Sequence, residues 1–306
     1  MNPSEKRPAD RKLSDRSGLF FRQDYFDDPA GWLAIKTLLI DIFNVDISAL
    51  DGLGGHDRTS FPSAYFDGDG RCIANLSAFS MPLMIDGRVI KAAGWQSGAV
   101  RPEYRGRGLY QDLIRITLDR CEERGLEAIV LYTDKPGLYT PHGFRILPQY
   151  SFKGPTPAIS GTPRPARLLD INRDLDLLRK LLADRMPVSS RFAVADQRLM
   201  FLLNCHLIED ISLSLLADGE AVVVWRMTDN GAFQLLDIAG SRIPSLAEII
   251  AALGIAPASV ETLVPPDRLS WEPTVIEGSG SEAFMMRARD ELFPSGPTCI
   301  SPMAEF

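Results

Sequence analysis

The chain has 306 residues, 45% of them hydrophobic and 24% charged, with a formal net charge of −7. That length suggests about two domains with enough apolar residues for a core in each. The acidic balance, without a face rich in Lys or Arg, speaks against nucleic acid as a partner, and no run approaches the ~18 apolar residues of a membrane span. Cys72, Cys121, Cys205 and Cys299 stand far apart, as do His56, His142 and His206. This favours free thiols in a reducing cytoplasm over a disulfide frame, and no metal site is expected.

Residues 1–17 are charged, lack the apolar core of a leader peptide, and read as a loose tail. A first strand follows at 20–25. Asp28-Pro29-Ala30 then opens a helix with Trp32, Ile35, Leu38, Leu39 and Ile42 at helical spacing. Asp24, Asp27 and Asp28 beside Phe26 and Trp32 are of a kind to hold a cationic amine, although Asp28 serves equally as the helix N-cap. Asp67-Gly68-Asp69-Gly70 reads as a hairpin turn between strands 63–66 and 72–84, and Ile85-Asp86-Gly87 as a second.

The strand 92–100 runs into V-R-P-E-Y-R-G-R-G at 100–108, and a helix is expected over 109–124. Glycines let a backbone approach phosphates closely, a helix N-terminus adds partial positive charge, and Arg105 and Arg107 add full charges. By itself such a turn is as often structural as functional. On the helix, Leu109, Leu113, Ile116, Leu118 and Cys121 read as the apolar side. Asp112, Arg115, Asp119, Glu122 and Glu123 read as a solvated face, with Gly125 as C-cap. A strand at 128–133 precedes Tyr139-Thr140-Pro141-His142-Gly143-Phe144. Residues 154–166, with Pro155, Pro157, Pro163 and Pro165, read as a linker.

From Arg167 the pattern starts again. A short strand at Leu168-Leu169 is followed by a helix with Leu175, Leu178, Leu181 and Leu182, and by another at 195–207. Strands are expected around 211–215, 221–227 and 233–238, then a helix at 245–253 and a last strand at 283–287. Gly240-Ser241-Arg242-Ile243-Pro244 lacks the Arg/Gly turn of the first half.

Arg105 through Tyr110 followed by Tyr139 and Gly143-Phe144 resembles the two cofactor motifs of the GNAT family of acetyl-CoA-dependent N-acetyltransferases. Tyr110 departs from the small residue that many members carry, in a way seen in the two-domain subgroup resembling the enhanced-intracellular-survival protein. The resemblance implies an α/β (α+β) fold of tandem GNAT-like domains, each a mixed, mostly antiparallel sheet flanked by helices. A catalytic domain is expected at 18–153 and a degenerate one at 167–290, with no counterpart of the subgroup's third, sterol-carrier-like domain. It implies that Arg105, Gly106, Arg107, Gly108, Leu109, Tyr110 and Gln111 bind the pyrophosphate of acetyl-CoA. The backbone of Gly98, Ala99 and Val100 is suited to pair with the pantetheine amides, and Asp134 and Lys135 match positions lining the thiol end. His142 has no role in that pattern.

Acetyl transfer to an amine needs a proton taken from the amine and one given to the departing thiolate. Tyr139, a phenol of ordinary pKa ~10, suits the second task. For the first, the resemblance implies the chain's own terminal carboxylate on Phe306, carried by a tail 291–306 returning to the active site. The expected partners are acetyl-CoA and an amine acceptor, with self-association left open. A mycothiol-synthase-like acyltransferase using another acyl-CoA and a non-catalytic acyl-CoA sensor are the competing readings.

Overall fold

The computed structural model describes residues 15–159, 164–278 and 282–306. Residues 1–14 of the expected tail and 160–163 of the expected linker lie outside the described residues. The first part of the chain forms β1 (Phe20–Gln23), α1 (Pro29–Phe43), α2 (Ala49–Leu53), β2 (Ser63–Phe66), β3 (Cys72–Ser80), β4 (Leu83–Ile85) and β5 (Arg88–Ile90). These lead to β6 (Ala92–Val100), α3 (Leu109–Glu123), β7 (Ala128–Thr133), β8 (Arg145–Ile146) and β9 (Tyr150–Gly154). The rest forms β10 (Arg167–Leu169), α4 (Leu175–Ala183), β11 (Phe192–Val194), α5 (Arg198–Leu207), β12 (Ser212–Leu215) and β13 (Ala221–Met227). It ends with β14 (Ala232–Gly240), α6 (Leu246–Leu253), β15 (Ser259–Thr262), β16 (Thr274–Glu277) and β17 (Ala283–Ala288). No described helix is long and apolar enough to cross a membrane.

Two seven-stranded sheets result, ordered β1-β2-β3-β6-β7-β17-β8 and β10-β12-β13-β14-β15-β9-β16, with a smaller sheet β11-β4-β5. Each large sheet holds one parallel pair joined through a helix: β6–α3–β7 in the first and β14–α6–β15 in the second. The fold is therefore the expected α/β tandem of mixed, mostly antiparallel sheets. One strand differs in placement. The apolar run at 283–288 does form a strand, but β17 pairs with β7 and β8 in the first sheet, while β9 pairs with β15 and β16 in the second. The expected single strand 72–84 is also broken, since Pro82 has no N–H to give a ladder. The expected helix at 195–207 starts only at Arg198, where Gln197 accepts the Met200 N–H.

The chain divides into two compact units, one of residues 15–48, 58–78 and 96–124 among those described, the other of 49–57, 79–95 and the described residues from 125 onward. In the first, α1 starts where Pro29 fixes the first helical turn and Asp28 accepts the Ala30 N–H. Its stripe of Ile35, Leu38 and Leu39 packs with Tyr25, Phe66 and Ala99. Burial of each such aliphatic side chain contributes about 1.5–3 kcal/mol. In the second unit, Val223, Phe233, Leu235, Ile249 and Val260 centre the core around β13, β14 and α6.

Candidate active site

In the first unit, β6 ends in the Gly/Arg turn. Arg101 anchors its start: buried, it donates from Nε to Cys72 O at 2.8 Å and from Nη1 to Asp41 at 2.7 Å. A short 3-10 turn at Pro102–Tyr104 follows. Arg105 Nε reaches back to Val100 O at 3.2 Å, and the Arg107 guanidinium stacks on the Tyr104 ring at 4.8 Å. Gly106 and Gly108 have φ of 80° and 78°, values that a side chain disfavours. Space beside Gly106 is open, and Gly108 caps α3 with no side-chain hydrogen bond to its N-terminus. The N-terminus of α3 thus has no side-chain cap and lies behind a turn bearing two arginines, an arrangement that suits a diphosphate.

Leu109 is buried and Gln111 exposed. Tyr110 has a structural counterpart in Gly98: a Cβ on Gly98 would collide with the Tyr110 hydroxyl. A side chain at 98 would therefore force the Tyr110 ring to shift. Ser97, at φ 56°, kinks the strand just before.

The expected solvated face of α3 needs correction at Asp112. Its side chain is only 10% exposed and accepts from Tyr65, from Arg16 at 2.5 Å and from Arg115 at 3.0 Å. Burial by itself raises this carboxyl, but the bonds from Tyr65 and Arg115 and the charge of Arg16 outweigh it, so it lies below the ordinary value. The apolar side is also rotated: Ile114 and Thr117 are fully buried, whereas Ile116 and Leu118 are partly exposed. Arg120, buried on the same side, donates to Phe61 O, Pro62 O and Ser63 Oγ and to Asp24 at 2.5 Å. The candidate amine-holding acids do not converge. Asp24 pairs with Arg120, Asp27 with Arg58 at 2.6 Å and Asp28 with Arg22 at 2.7 Å.

The equivalent turn in the second unit is closed. Ser245 and Glu248 form a reciprocal capping box on α6. Arg242 is engaged by Asp218, Glu220 and Glu248. The helix that lacks the Gly/Arg motif thus also has its N-terminus filled by the chain's own carboxylate.

Also in the second unit, β7 ends at Thr133, whose Oγ1 accepts the Lys135 N–H at 2.9 Å. Asp134 and Lys135 are exposed and pair with each other at 3.2 Å. Tyr139 is buried, with its ring edge-on to Phe144 at 5.7 Å and its carbonyl accepting from the His142 N–H at 2.8 Å. Phe144 in turn packs on Trp95 at 5.2 Å. The spacing from Tyr139 to Gly143-Phe144 therefore closes a compact turn that sets the tyrosine ring.

The C-terminal segment is docked along its length. Thr298, Cys299, Ile300, Ser301, Met303 and Ala304 are buried. The Tyr150 N–H donates to Thr298 O and the Ile300 N–H to Gln149 Oε1, both at 2.8 Å. Phe306 lies edge-on to Phe79 at 5.4 Å and near Tyr132 at 6.1 Å. Glu305, missed in the sequence reading, sits with an accessible side chain, yet desolvation of its carboxyl and the nearby Glu282 push its pKa up. Burial, then the negative Glu305, raises the Tyr132 phenol. An acidic residue next to the last position gave no periodic signal by which to find it.

Residues 63–147 match the acetyltransferase (GNAT) domain model. Among solved structures, the chain is similar to a probable N-acyltransferase of Enterococcus faecalis V583, at 14% identity and TM-score 0.59, over 88% of this chain and 72% of that one. It is similar to a GCN5-related N-acetyltransferase of Kribbella flavida, at 20% identity and TM-score 0.56, over 91% and 73%. Eis1 of Mycobacterium abscessus aligns at 15% identity and TM-score 0.57, over 90% and 73%. At these identities the likeness is one of fold. No curated protein matches in sequence.

Proposed function

Because residues 63–147 belong to the GNAT acetyltransferase family, we propose that the chain transfers an acetyl group from acetyl-CoA to the primary amine of a small molecule or peptide by direct attack. The observation that carries this reading is the α3 N-terminus without a side-chain cap, behind Gly106 and Gly108 and flanked by Arg105 and Arg107, against the self-capped α6 N-terminus.

In this reading, Arg105 through Gln111 hold the pyrophosphate by charge and by backbone N–H groups. The Gly98–Val100 backbone pairs with the pantetheine amides as an added strand would, which aligns the thioester for attack. Asp134 and Lys135 border the thiol end. An alkylammonium of pKa ~10.4 is deprotonated in only about one molecule in 2,500 at pH 7, a handicap of ~4.6 kcal/mol. The Phe306 carboxylate removes that proton and so frees the nitrogen lone pair to attack the thioester carbonyl. The nitrogen sheds its second proton as the adduct collapses to the amide, which balances the one given to the thiolate. An ordinary terminal carboxyl, at pKa ~3.5, is a weak base, which desolvation would strengthen. Tyr139 then donates its phenolic proton to the departing thiolate, whose pKa is close enough to share it.

The test is thiol release from acetyl-CoA in the presence of a panel of primary amines, with the acetylated product identified by mass. Amine-dependent release supports the transferase. Tight acetyl-CoA binding with no release from any amine indicates a sensor, and faster release from a longer acyl-CoA indicates a different acyl donor.

A further inference from the structure

The repeated strand–helix–strand allows the second half to be compared with the first. The parallel register of β6 with β7 ends at Trp95–Leu131, and that of β14 with β15 at Leu235–Thr262. Just past this point β14 carries an extra residue. Trp225 faces Leu235 and Val224 faces Asp237, so Leu236 is a bulge against β13, and a bulge re-aims its strand. Residues 236–240 of β14 thus correspond to the part of β6 assigned above to the pantetheine.

On β14 that edge is taken by the chain itself. Alternate carbonyls of an extended strand share one edge, and three in succession accept from elsewhere in this unit. Leu236 O accepts from Ser301 Oγ at 3.0 Å, Ile238 O from Arg185 Nη2 at 3.4 Å and Gly240 O from the Met186 N–H at 2.7 Å. Arg185 is fixed there by Asp237, at 3.1 Å, with side chains 4% and 0% exposed. The C-terminal segment has a second tie, since Asn204 Nδ2 on α5 donates to Glu305 O at 2.8 Å, immediately before Phe306. Ser301 also accepts the Met303 N–H at 3.0 Å, which starts the last turn of the chain.

We propose that the cofactor edge of the second sheet has become a clamp for the C-terminal segment, in which Ser301 and Asn204 are positioning residues for the Phe306 carboxylate. The proposal rests on the reading of that carboxylate as the base. A terminus loses conformational entropy when it is held, and a base must be held to act on one proton. The two side-chain bonds, with Met303 and Ala304 buried between them, supply that restraint. They do so on the edge where a second acyl-CoA would otherwise lie.

The test compares the Ser301→Ala/Asn204→Leu double variant with Ser301→Thr, which keeps the hydroxyl, and with a C-terminal Gly/Ser extension of the unchanged chain. The double variant is expected to lose at least tenfold in kcat at pH 7, less at pH 9, with the KM for acetyl-CoA within about twofold of the parent. Amide exchange at 301–306 should speed up, and Ser301→Thr should behave as the parent. Should the double variant not fold, Ser301→Ala alone is expected to show the same changes to a smaller degree. Parent-like kcat or unchanged exchange in a folded variant, alongside an extension that abolishes turnover, overturns the clamp and leaves the base reading standing. An extension that is harmless removes the base reading, and with it the clamp's role in catalysis. A raised KM at unchanged kcat overturns the proposal as well, because it places the effect on cofactor binding.

Discussion

Tyr139 and Gly98 carry the expectations that depend on single atoms. In the proposed mechanism the Tyr139 hydroxyl is needed only when the thiolate departs, so Tyr139→Phe is expected to lower kcat by about 10²–10⁴-fold with acetyl-CoA affinity unchanged. Single-turnover kinetics with calorimetric titration measure both, and full kcat would make the residue structural. Gly98→Ala is expected to destabilise the protein by about 1–3 kcal/mol through overpacking against the Tyr110 hydroxyl. Adding Tyr110→Ala should recover part of that loss, since residues in contact couple by ~0.5–3 kcal/mol. Additive losses in thermal unfolding would show that the two positions do not share this space. The motif made Tyr110 visible as a departure from a small residue. The reason for it lies twelve positions upstream on another element, where no local pattern reports it.

At the scale of an element, α3 is held laterally while its N-terminus carries no side-chain cap, which leaves that end for the proposed cofactor. Arg105→Glu with Gly108→Val removes a charge and a left-handed backbone position, and acetyl-CoA binding should weaken by well over tenfold with the fold retained. Calorimetry giving unchanged affinity would remove the basis of the cofactor assignment. The helix is fastened laterally by Asp112. Its pKa is depressed in the folded protein, so its contribution is present above the unfolded carboxylate value and is lost as pH falls through the folded one. Asp112→Asn should therefore destabilise at pH 7 by roughly 1.5–3 kcal/mol, as for hydrogen bonds to a charged group. The gap to the parent should close as the pH is lowered below the ordinary carboxylate range. A gap independent of pH would mean that shape, not charge, is what Asp112 contributes. That α3 is amphipathic and starts at Leu109 was legible from spacing and from Gly108. That one of its acids is buried was not, because its partners Arg16 and Tyr65 are remote in sequence.

For the whole molecule the expectation concerns the last residue. A short Gly/Ser extension moves the terminal charge while keeping every side chain. It should cut kcat strongly at pH 7 and less at pH 9, where more of the amine is already deprotonated. Phe306→Ala should be milder, because the carboxylate stays and only its contacts with Phe79 and Tyr132 are lost. A pH–rate profile identical for tagged and untagged protein would assign the base elsewhere, with Glu305 the next carboxylate to replace.

The sequence by itself determined the elements that local rules encode: the strand before the Gly/Arg turn, the helix behind it, the strand at 128–133, the hairpin turns, and the recurrence of strand–helix–strand after Arg167. These follow from backbone dihedrals and from which face each short segment must bury, and both leave a period or a turn residue in the chain. Tertiary structure alone decided that β17 joins the first sheet and β9 the second. It also decided that Tyr110 lies on Gly98, that Arg185 and Ser301 occupy the β14 edge, and that the last ten residues are docked and not frayed. Each of these joins segments far apart in the chain. An apolar strand has the same pattern whichever neighbour it pairs with, and a Ser near a terminus carries no mark of the carbonyl it will meet.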